Sequence, residues 1–355
     1  MLSGPETGNA TTASPTVSPR VSVFILNWNG LELLPDCLSS LRRQTWRDFE
    51  TIVVDNGSAD GSVDFLVREF PEVEVLALET NTGFCGGNIA AYARSRGDLL
   101  VLLNNDAELD EAFLERMVEA ADLEPAFGMF AANIRMFDHH EVFDSTGLLV
   151  YPDGICRSRG WLEKDLGQYD EADEVLCPNG CAAVYRRSMI EEVGFFDEAY
   201  FAYLEDLDLG LRGQLRGWRC RYVPGALAFH KKSMTSGYHS AFKAYLVERN
   251  RIWNAVRLLP LRLLLLSPLW TIARYLAQAF AAGTGRGLSS RFRRDYSRGT
   301  LAGILLKSYA AALVRLPEVW RQRREIQRNR KLGALAVYKL LRKYRLPLLE
   351  LAFKD

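Results

Sequence analysis

Acidic, amide and glycine residues recur in this chain where apolar runs stop. Asp55 follows Val53-Val54 and opens Asp55-Asn56-Gly57-Ser58. A carboxylate there can accept a hydrogen bond from a ligand N–H such as a pyrimidine imide, or it can close an Asx-turn ahead of the next helix. Asn104-Asn105-Asp106 ends another apolar run, with Glu108 just beyond. Oxygen ligands two residues apart at a strand end suit Mg²⁺ or Mn²⁺, ions that complete their shell with water and phosphate oxygens. A solvated turn has the same composition. Gly83, Gly86 and Gly87 precede a helical stretch, and N–H groups at a helix start can cradle phosphate; an ordinary turn uses the same residues. Glu205-Asp206-Leu207-Asp208 opens a helix, where carboxylates suit the dipole. Tyr200, Phe201 and Tyr203 crowd that cluster, and a carboxylate in apolar surroundings can act as a general base. His230 ends the last apolar run, as a structural histidine or, beside a metal, a ligand.

The elements that position these residues alternate. Residues 21–26, 49–54, 73–78 and 98–103 read as strands, and 31–44, 62–70 and 89–95 as helices. Such alternation predicts a parallel α/β sheet covered on both faces, whose ligands gather at the carboxyl ends of its strands. Those ends carry Asn27-Trp28-Asn29-Gly30, Asp55-Asn56-Gly57-Ser58 and Asn104-Asn105-Asp106. Further strands are expected over 127–135 and 141–150, and a strand pair over 219–223 and 226–229 around Pro224-Gly225. Short helices are expected over 188–193 and 206–217. Beyond residue 240 the pattern is helical throughout.

Charge divides the chain in the same place. Residues 231–355 hold 26 Lys and Arg against 6 Asp and Glu, while residues 1–230 hold 18 against 38. An excess of positive charge with Arg interleaved among Leu, Trp and Tyr predicts helices lying in an anionic membrane interface; a helical bundle with a solvated basic face is the alternative. The most apolar stretch, 258–280, is expected to fall short of a spanning helix, because Arg262, Arg274, Pro260 and Pro268 interrupt it. The six cysteines lack a four-ligand zinc spacing and read as reduced thiols of a cytosolic protein. Residues 1–19, rich in Pro, Ser, Thr and Gly, read as a flexible tail with no signal-peptide pattern. No Gly-x-Ser-x-Gly elbow, Walker A loop, His-Glu-x-x-His or kinase set occurs. The basic segment lacks exposed stacking aromatics, so no nucleic-acid partner is expected.

Taken in order, the segments 21–30, 53–62, 81–88, 99–108, 179–208 and 217–230 resemble the inverting family 2 glycosyltransferases of the GT-A fold, with the rhamnosyltransferase-like and galactofuranosyltransferase-like members nearest. Val193-Gly194-Phe195-Phe196-Asp197-Glu198 through Glu205-Asp206-Leu207-Asp208 carries the likeness most specifically. The resemblance implies a Rossmann-like, mostly parallel sheet flanked by helices over residues 20–240, and a membrane-associating all-helical region over 241–355. It implies that Asp55 reads a uracil or thymine and that Asn27 and Trp28 line the base pocket, with Asn56, Gly83, Gly87 and Asn105 also on the donor side. Asn104-x-Asp106 stands at the family's D-x-D position with Asn for the first Asp, a departure shared by rhamnosyl-like members. Asp106, Asn104 and His230 would then hold a divalent cation, Mg²⁺ or Mn²⁺. Asp206 matches the general base, with Glu205 its neighbour. Processive members carry Q-x-x-R-W; Gln214-Leu215-Arg216-Gly217-Trp218 has its Arg one place early, so a processive polymerase is not expected. The implied activity moves a sugar from a dTDP- or UDP-sugar, dTDP-rhamnose among them, to a hydroxyl of a lipid-linked or polysaccharide acceptor in cell-envelope glycan synthesis. The implied place is the cytoplasmic face of the plasma membrane, held peripherally or monotopically. A nucleotidyltransferase and a non-catalytic sugar-nucleotide-binding scaffold are the competing readings.

Overall fold

The computed structural model describes residues 18–231 and 240–354. The tail expected over residues 1–19 lies almost entirely outside the described residues. β1 (Val21–Asn27), β2 (Phe49–Asp55), β3 (Glu74–Ala77) and β4 (Leu99–Asn104) are parallel and lie in the order β4-β1-β2-β3. β1 is apolar toward both faces because helices cover both sides. The connecting helices are α1 (Leu34–Arg42), α2 (Ser62–Glu69) and α3 (Gly83–Arg94). α1 buries Leu34, Cys37, Leu38 and Leu41, the stripe its spacing predicts. α3 begins at Gly83, six residues earlier than expected from the sequence, so the glycines lie inside the helix rather than in a loop before it.

After β5 (Ala107–Leu109) and α4 (Phe113–Leu123) the sheet becomes mixed. β6 (Phe127–Met136) is followed by β7 (His139–Ser145), β8 (Leu148–Val150) and β9 (Cys156–Ser158). The single strand expected over 141–150 is thus two, broken where Gly147 takes a φ of 119°. β10 (Glu174–Val175), β11 (Ala182–Arg186), α5 (Arg187–Val193), α6 (Glu205–Leu215) and β12 (Arg219–His230) complete this half. β11 is antiparallel to β4 and β6, whereas β12 is parallel to β6. The strand pair expected around Pro224-Gly225 is one strand, β12, whose register on β6 slips between Val223 and Leu227. Pro224 has no N–H to give the ladder, so the strand bulges instead of turning, and Asn133 Nδ2 donates to the Pro224 carbonyl at 3.1 Å.

The chain then forms α7 (Ala241–Leu258), α8 (Leu261–Gly283), α9 (Leu288–Asp295), α10 (Arg298–Val314), α11 (Leu316–Asn329), α12 (Ala334–Lys343) and α13 (Leu348–Phe353). α7 packs against α6, and its Trp253 is buried in the same core as β4 and β11. The boundary expected at residue 241 therefore separates segments that share one core. α8 also differs from expectation: it runs unbroken for 23 residues through Pro268. Pro268 cannot donate to the Leu264 carbonyl, and Ser267 Oγ supplies that bond at 2.8 Å. Among the described residues α8 is the one single helix long and apolar enough to cross a membrane by length and composition, with 17% of its most apolar window buried.

Arg274 fastens α8 to the rest. It is 1% exposed and donates to Asp153 at 2.7 Å, on the β8–β9 turn, and to both oxygens of Glu248 on α7 at 2.9 and 3.1 Å. Arg251 and Tyr275 each donate to Glu248 at 2.6 Å. Burial works against the Glu248 carboxylate, but Arg274 and Arg251 outweigh it and hold it at about 2. This depressed carboxylate adds stability that is complete above its ordinary range and is lost progressively as pH falls from 4.5 to about 2. Arg274→Met is expected to lower unfolding free energy by about 3–5 kcal/mol, since it leaves buried carboxylates short of a partner. Urea unfolding at pH 7 checks this.

Candidate active site

The carboxyl ends of β1, β2 and β4 bring Asn27, Asp55 and Asn105 into one bonded group. Asn27 Nδ2 donates to Asp55 Oδ2 at 3.0 Å, and Asn105 Nδ2 donates to Asn27 Oδ1 at 2.9 Å. Ser58 N donates to Asp55 Oδ1 at 2.9 Å, so Asp55 also closes the turn that follows β2, by a bond three residues on. Asp55 is 1% exposed with both oxygens engaged, so a base contact would use its remaining lone pairs. Trp28 stands at the rim, 41% exposed, beside Asn29 in the left-handed region.

The glycines expected to cradle phosphate have a packing reason. A Cβ at Gly87 would lie 2.7 Å from Leu26, and one at Gly83 would lie 2.7 Å from the Phe201 ring. Three of the N–H groups there are spent inside the protein: Thr82 N donates to Asn56 Oδ1, Gly83 N to Asn81 Oδ1 and Cys85 N to the Phe201 carbonyl. Asn56 in turn donates to the Gly83 carbonyl at 3.0 Å. Asn56 and Gly83 thus fix where α3 starts.

The chain turns at Asn105-Asp106, so the strand alternation that would aim residues 104 and 106 alike ends at Asn104. Asp106 meets His230 instead, with Oδ1 3.2 Å from Nε2. The other imidazole nitrogen, Nδ1, lies 2.6 Å from Asp144 Oδ2. Burial pulls His230 toward neutrality, but Cys181, Asp106 and Asp144 outweigh it and raise it well above the ordinary histidine value. Glu108 is paired with Lys231 at 3.1 Å.

Among the described residues no three His, Cys, Asp or Glu side chains form a metal-holding group. Asp106 and His230 nevertheless fit two positions of a divalent shell. Two ligands at right angles with bonds of about 2.1 Å stand about 3 Å apart, and these stand 3.2 Å apart. A histidine ligand ordinarily has its second nitrogen bonded to a carboxylate, which is where Asp144 lies. An ion held by so few side chains takes the rest of its shell from water and phosphate oxygens.

The acidic cluster separates into different roles. Asp208 is a structural anchor, accepting from Arg212 Nε at 2.8 Å and lying 3.4 Å from Arg257 Nε. Asp206 accepts from its neighbour Leu207 N at 2.7 Å and, more weakly, from Gly180 N at 3.4 Å. Burial raises its carboxyl to about 6, against the opposing pull of those backbone donors. Burial, then the nearby Asp206 charge, raises Glu205 well above the carboxylate range, and its Oε2 is buried without a hydrogen-bond partner. Asp206 is therefore the carboxyl that ionises first near neutrality, beside a neutral Glu205.

One short turn joins the two halves of the site. Gly180 N faces Asp206, Cys181 interacts with His230, and the Cys181 carbonyl accepts from Asn104 N at 2.9 Å. Asp55, Asn27, Asn105, Asp106, His230, Cys181, Gly180 and Asp206 thus follow one another along the carboxyl edge of the sheet. The sequence reading missed Asp144 and Cys181. A carboxylate inside the apolar strand of residues 141–150 was the available signal for Asp144; nothing in the pattern marked Cys181.

Comparison with known proteins agrees with this arrangement. The family model for glycosyl transferase family 2 matches residues 22–194. An N-acetylglucosaminyl-diphospho-decaprenol L-rhamnosyltransferase of Mycobacterium tuberculosis is 29% identical over 255 residues, covering 61% of this chain and 80% of that protein. The O-antigen biosynthesis protein RfbC of Myxococcus xanthus is 26% identical, over 61% of this chain and 18% of its own length. In fold, the structure of S. aureus TarS residues 1–349 in complex with UDP gives a TM-score of 0.51 at 15% identity, covering 86% of this chain and 91% of that one. GalNAc-T7 with UDP, GalNAc and Mn²⁺ gives 0.55 at 13% identity, covering 68% of this chain and 48% of that one. The chain carries a glycosyl transferase family 2 domain on a GT-A-like sheet, and is a glycosyltransferase.

Proposed function

We propose that the protein is an inverting glycosyltransferase that moves a sugar, rhamnose first among the candidates, from a dTDP- or UDP-sugar to a hydroxyl of a lipid-linked acceptor in cell-envelope glycan synthesis. The observation that carries this reading is the continuous polar edge from Asp55 to Asp206, which ends on a half-buried carboxyl raised to about 6. The rhamnosyltransferase relative and the UDP-bound fold neighbours support the donor class.

In this reading Asn27, Asp55 and the rim residue Trp28 hold the base, and Asn105 and Asp106 face the diphosphate. Asp106 and His230, with Asn104 adjacent, would hold a divalent cation whose charge stabilises the departing diphosphate. Asp144 fixes the imidazole by its bond to Nδ1. Asp206, ionised above about pH 6, accepts the proton of the acceptor hydroxyl as that oxygen attacks the anomeric carbon. The nucleotide diphosphate leaves from the opposite side, so one displacement inverts the configuration. Glu205, held neutral, leaves Asp206 the single negative charge at that point.

The helical region supports a membrane-surface location. Leu265, Leu269, Ile272, Leu276 and Phe280 form one exposed stripe of α8, 55–70% exposed, opposite the buried Arg274. Arg262, Arg286, Arg294, Arg298 and Lys307 are exposed along α8–α10, where Asp295 is the sole acidic residue in 261–314. Crossing a bilayer would pull Arg274 away from Asp153 and Glu248, so α8 lies in the plane of an anionic leaflet.

Three outcomes are expected. Asp206→Asn binds nucleotide diphosphate normally but loses turnover by about 10²–10⁴-fold, measured as release of dTDP or UDP from the matching sugar donor. The wild-type rate falls as pH drops through about 6. The sign for stability is opposite. A folded carboxyl raised from 3.8 to about 6 binds its proton more tightly than the unfolded chain, so stability declines as pH rises across that interval. Asp206→Asn is therefore at least as stable as wild type above pH 6, by thermal melting, despite being inactive.

Asp144→Asn is expected to weaken Mn²⁺ binding by about 10–100-fold, read by calorimetry with dTDP or UDP present. Wild-type affinity in that variant would remove Asp144 from the metal's support. Leu269→Glu with Leu276→Glu should abolish sedimentation with phosphatidylglycerol vesicles and leave the melting temperature unchanged. Undiminished sedimentation would place the membrane contact elsewhere.

A further inference from the structure

Glu205 and Asp206 follow a segment whose backbone would not hold its shape alone. Phe201, Tyr203 and Leu204 take φ values of 64°, 71° and 67°, a region that side chains with a Cβ rarely occupy. Non-glycine residues persist there only where surroundings over-determine them, and such strain gathers at functional sites. Leu204 is the residue from which α6 starts, so this segment sets where the carboxyl pair points.

The surroundings that hold it come mostly from α7. Asn250 Nδ2 lies 3.1, 2.9 and 2.8 Å from the carbonyl oxygens of Tyr200, Ala202 and Tyr203, and Asn250 is fully buried. The Arg249 guanidinium donates to the Ala199 and Tyr200 carbonyls, each at 2.9 Å. Asn254 Nδ2 donates to the Leu204 carbonyl at 3.1 Å, and its Oδ1 accepts from the Tyr200 hydroxyl at 2.7 Å. The remaining carbonyl, that of Phe201, accepts from Cys85 N at 3.0 Å. Every carbonyl from residue 199 to 204 is thus bonded, and five of the six are bonded by three side chains of one helix outside the family-matched residues 22–194.

We propose that Asn250 and Arg249 are positioning residues for glycosyl transfer: they hold the 199–204 segment, with Phe201, Tyr203 and Leu204 at positive φ, in the conformation that presents Asp206 to the acceptor hydroxyl. The inference rests on the reading of Asp206 as the base. It makes α7 part of the catalytic apparatus, whatever the helices after it do at a membrane.

The test compares Asn250→Ala and Arg249→Met with wild type and with Asp206→Asn. Turnover is read as nucleotide diphosphate released from dTDP-rhamnose, UDP-galactose and UDP-N-acetylglucosamine, with water as acceptor where no glycan acceptor is used. Folding is read by circular dichroism and melting. Folded Asn250→Ala should lose at least tenfold in kcat while its donor KM stays within twofold. Its acid limb should move below pH 6, because a loosened segment admits water to Asp206. The groups near Asp206 are Glu205 on its own helix, Cys85 on α3, Cys156 on β9, Cys177 just after β10 and Tyr185 on β11; burial keeps the last four neutral there. A folded Asn250→Ala with wild-type kcat and acid limb overturns the proposal. So does a loss of kcat that merely follows the unfolded fraction with the acid limb unmoved. If Asn250→Ala does not fold, the half-buried Arg249→Met decides by the same criteria. Asp206→Asn separates the two ideas. Turnover retained there removes the base assignment, whereas an inactive Asp206→Asn beside a fully active Asn250→Ala removes only the positioning role.

Discussion

Two carboxyl groups, Glu205 buried and Asp206 half-buried, sit side by side at the start of α6, and desolvation disfavours their charged forms. Little around them relieves that cost. Asp206 has two backbone donors, one of them long, and Glu205 has an oxygen with none. No arginine or lysine is among the groups that shift either one, although the region just behind is crowded with arginine. Those arginines are committed elsewhere, with Arg212 and Arg257 on Asp208, and Arg257 and Arg315 on Asp197. A cation beside Asp206 would have lowered its carboxyl and weakened it as a base. The structure keeps its positive charge one turn away.

The same constraint explains why the helical region is joined so closely to the sheet. A strained segment ahead of this carboxyl pair needs donors for its carbonyls, and the sheet domain supplies only Cys85 N of α3 to Phe201, Asp208 N of α6 to Leu204 and, within the segment, Ala202 N to Tyr200. α7 supplies the others, and α7 is fastened in turn through Glu248 and Arg251 to Arg274 and Asp153. The positive charge of the C-terminal half is therefore of two kinds. Arg249, Arg251, Arg257 and Arg274 are spent on carbonyls and buried carboxylates, whereas Arg262, Arg286, Arg294 and Lys307 face outward beside the apolar stripe of α8.

Much of the donor half was legible in the order of residues. Apolar runs ending in Asn27, Asp55 and Asn104 mark strands whose carboxyl ends must converge, because parallel strands joined by helices present those ends on one edge. The likeness to family 2 glycosyltransferases rested on those same segments, and the matched residues 22–194 coincide with most of them. Where the structure departs from the pattern, the reason is local. Gly83 and Gly87 lie inside α3 rather than in a loop before it, and small residues are demanded where that helix packs tightly on Leu26 and Phe201. Pro268 looked like a break, but a serine one residue earlier supplies the missing bond.

The residue order by itself determined the alternation of strand and helix, the acidic pair at the head of a helix, and the division of charge near residue 230. These follow from spacing and composition, which are properties of neighbours along the chain. Only the tertiary structure decided which carboxylate meets His230, which arginines are buried, and which side chains hold the segment before Asp206. Asp144 and His230 are 86 residues apart, and Asn250 lies 47–50 residues beyond the carbonyls it holds. Such contacts depend on how helices and strands pack. A periodicity identifies the face an element buries, and leaves open which partner that face meets.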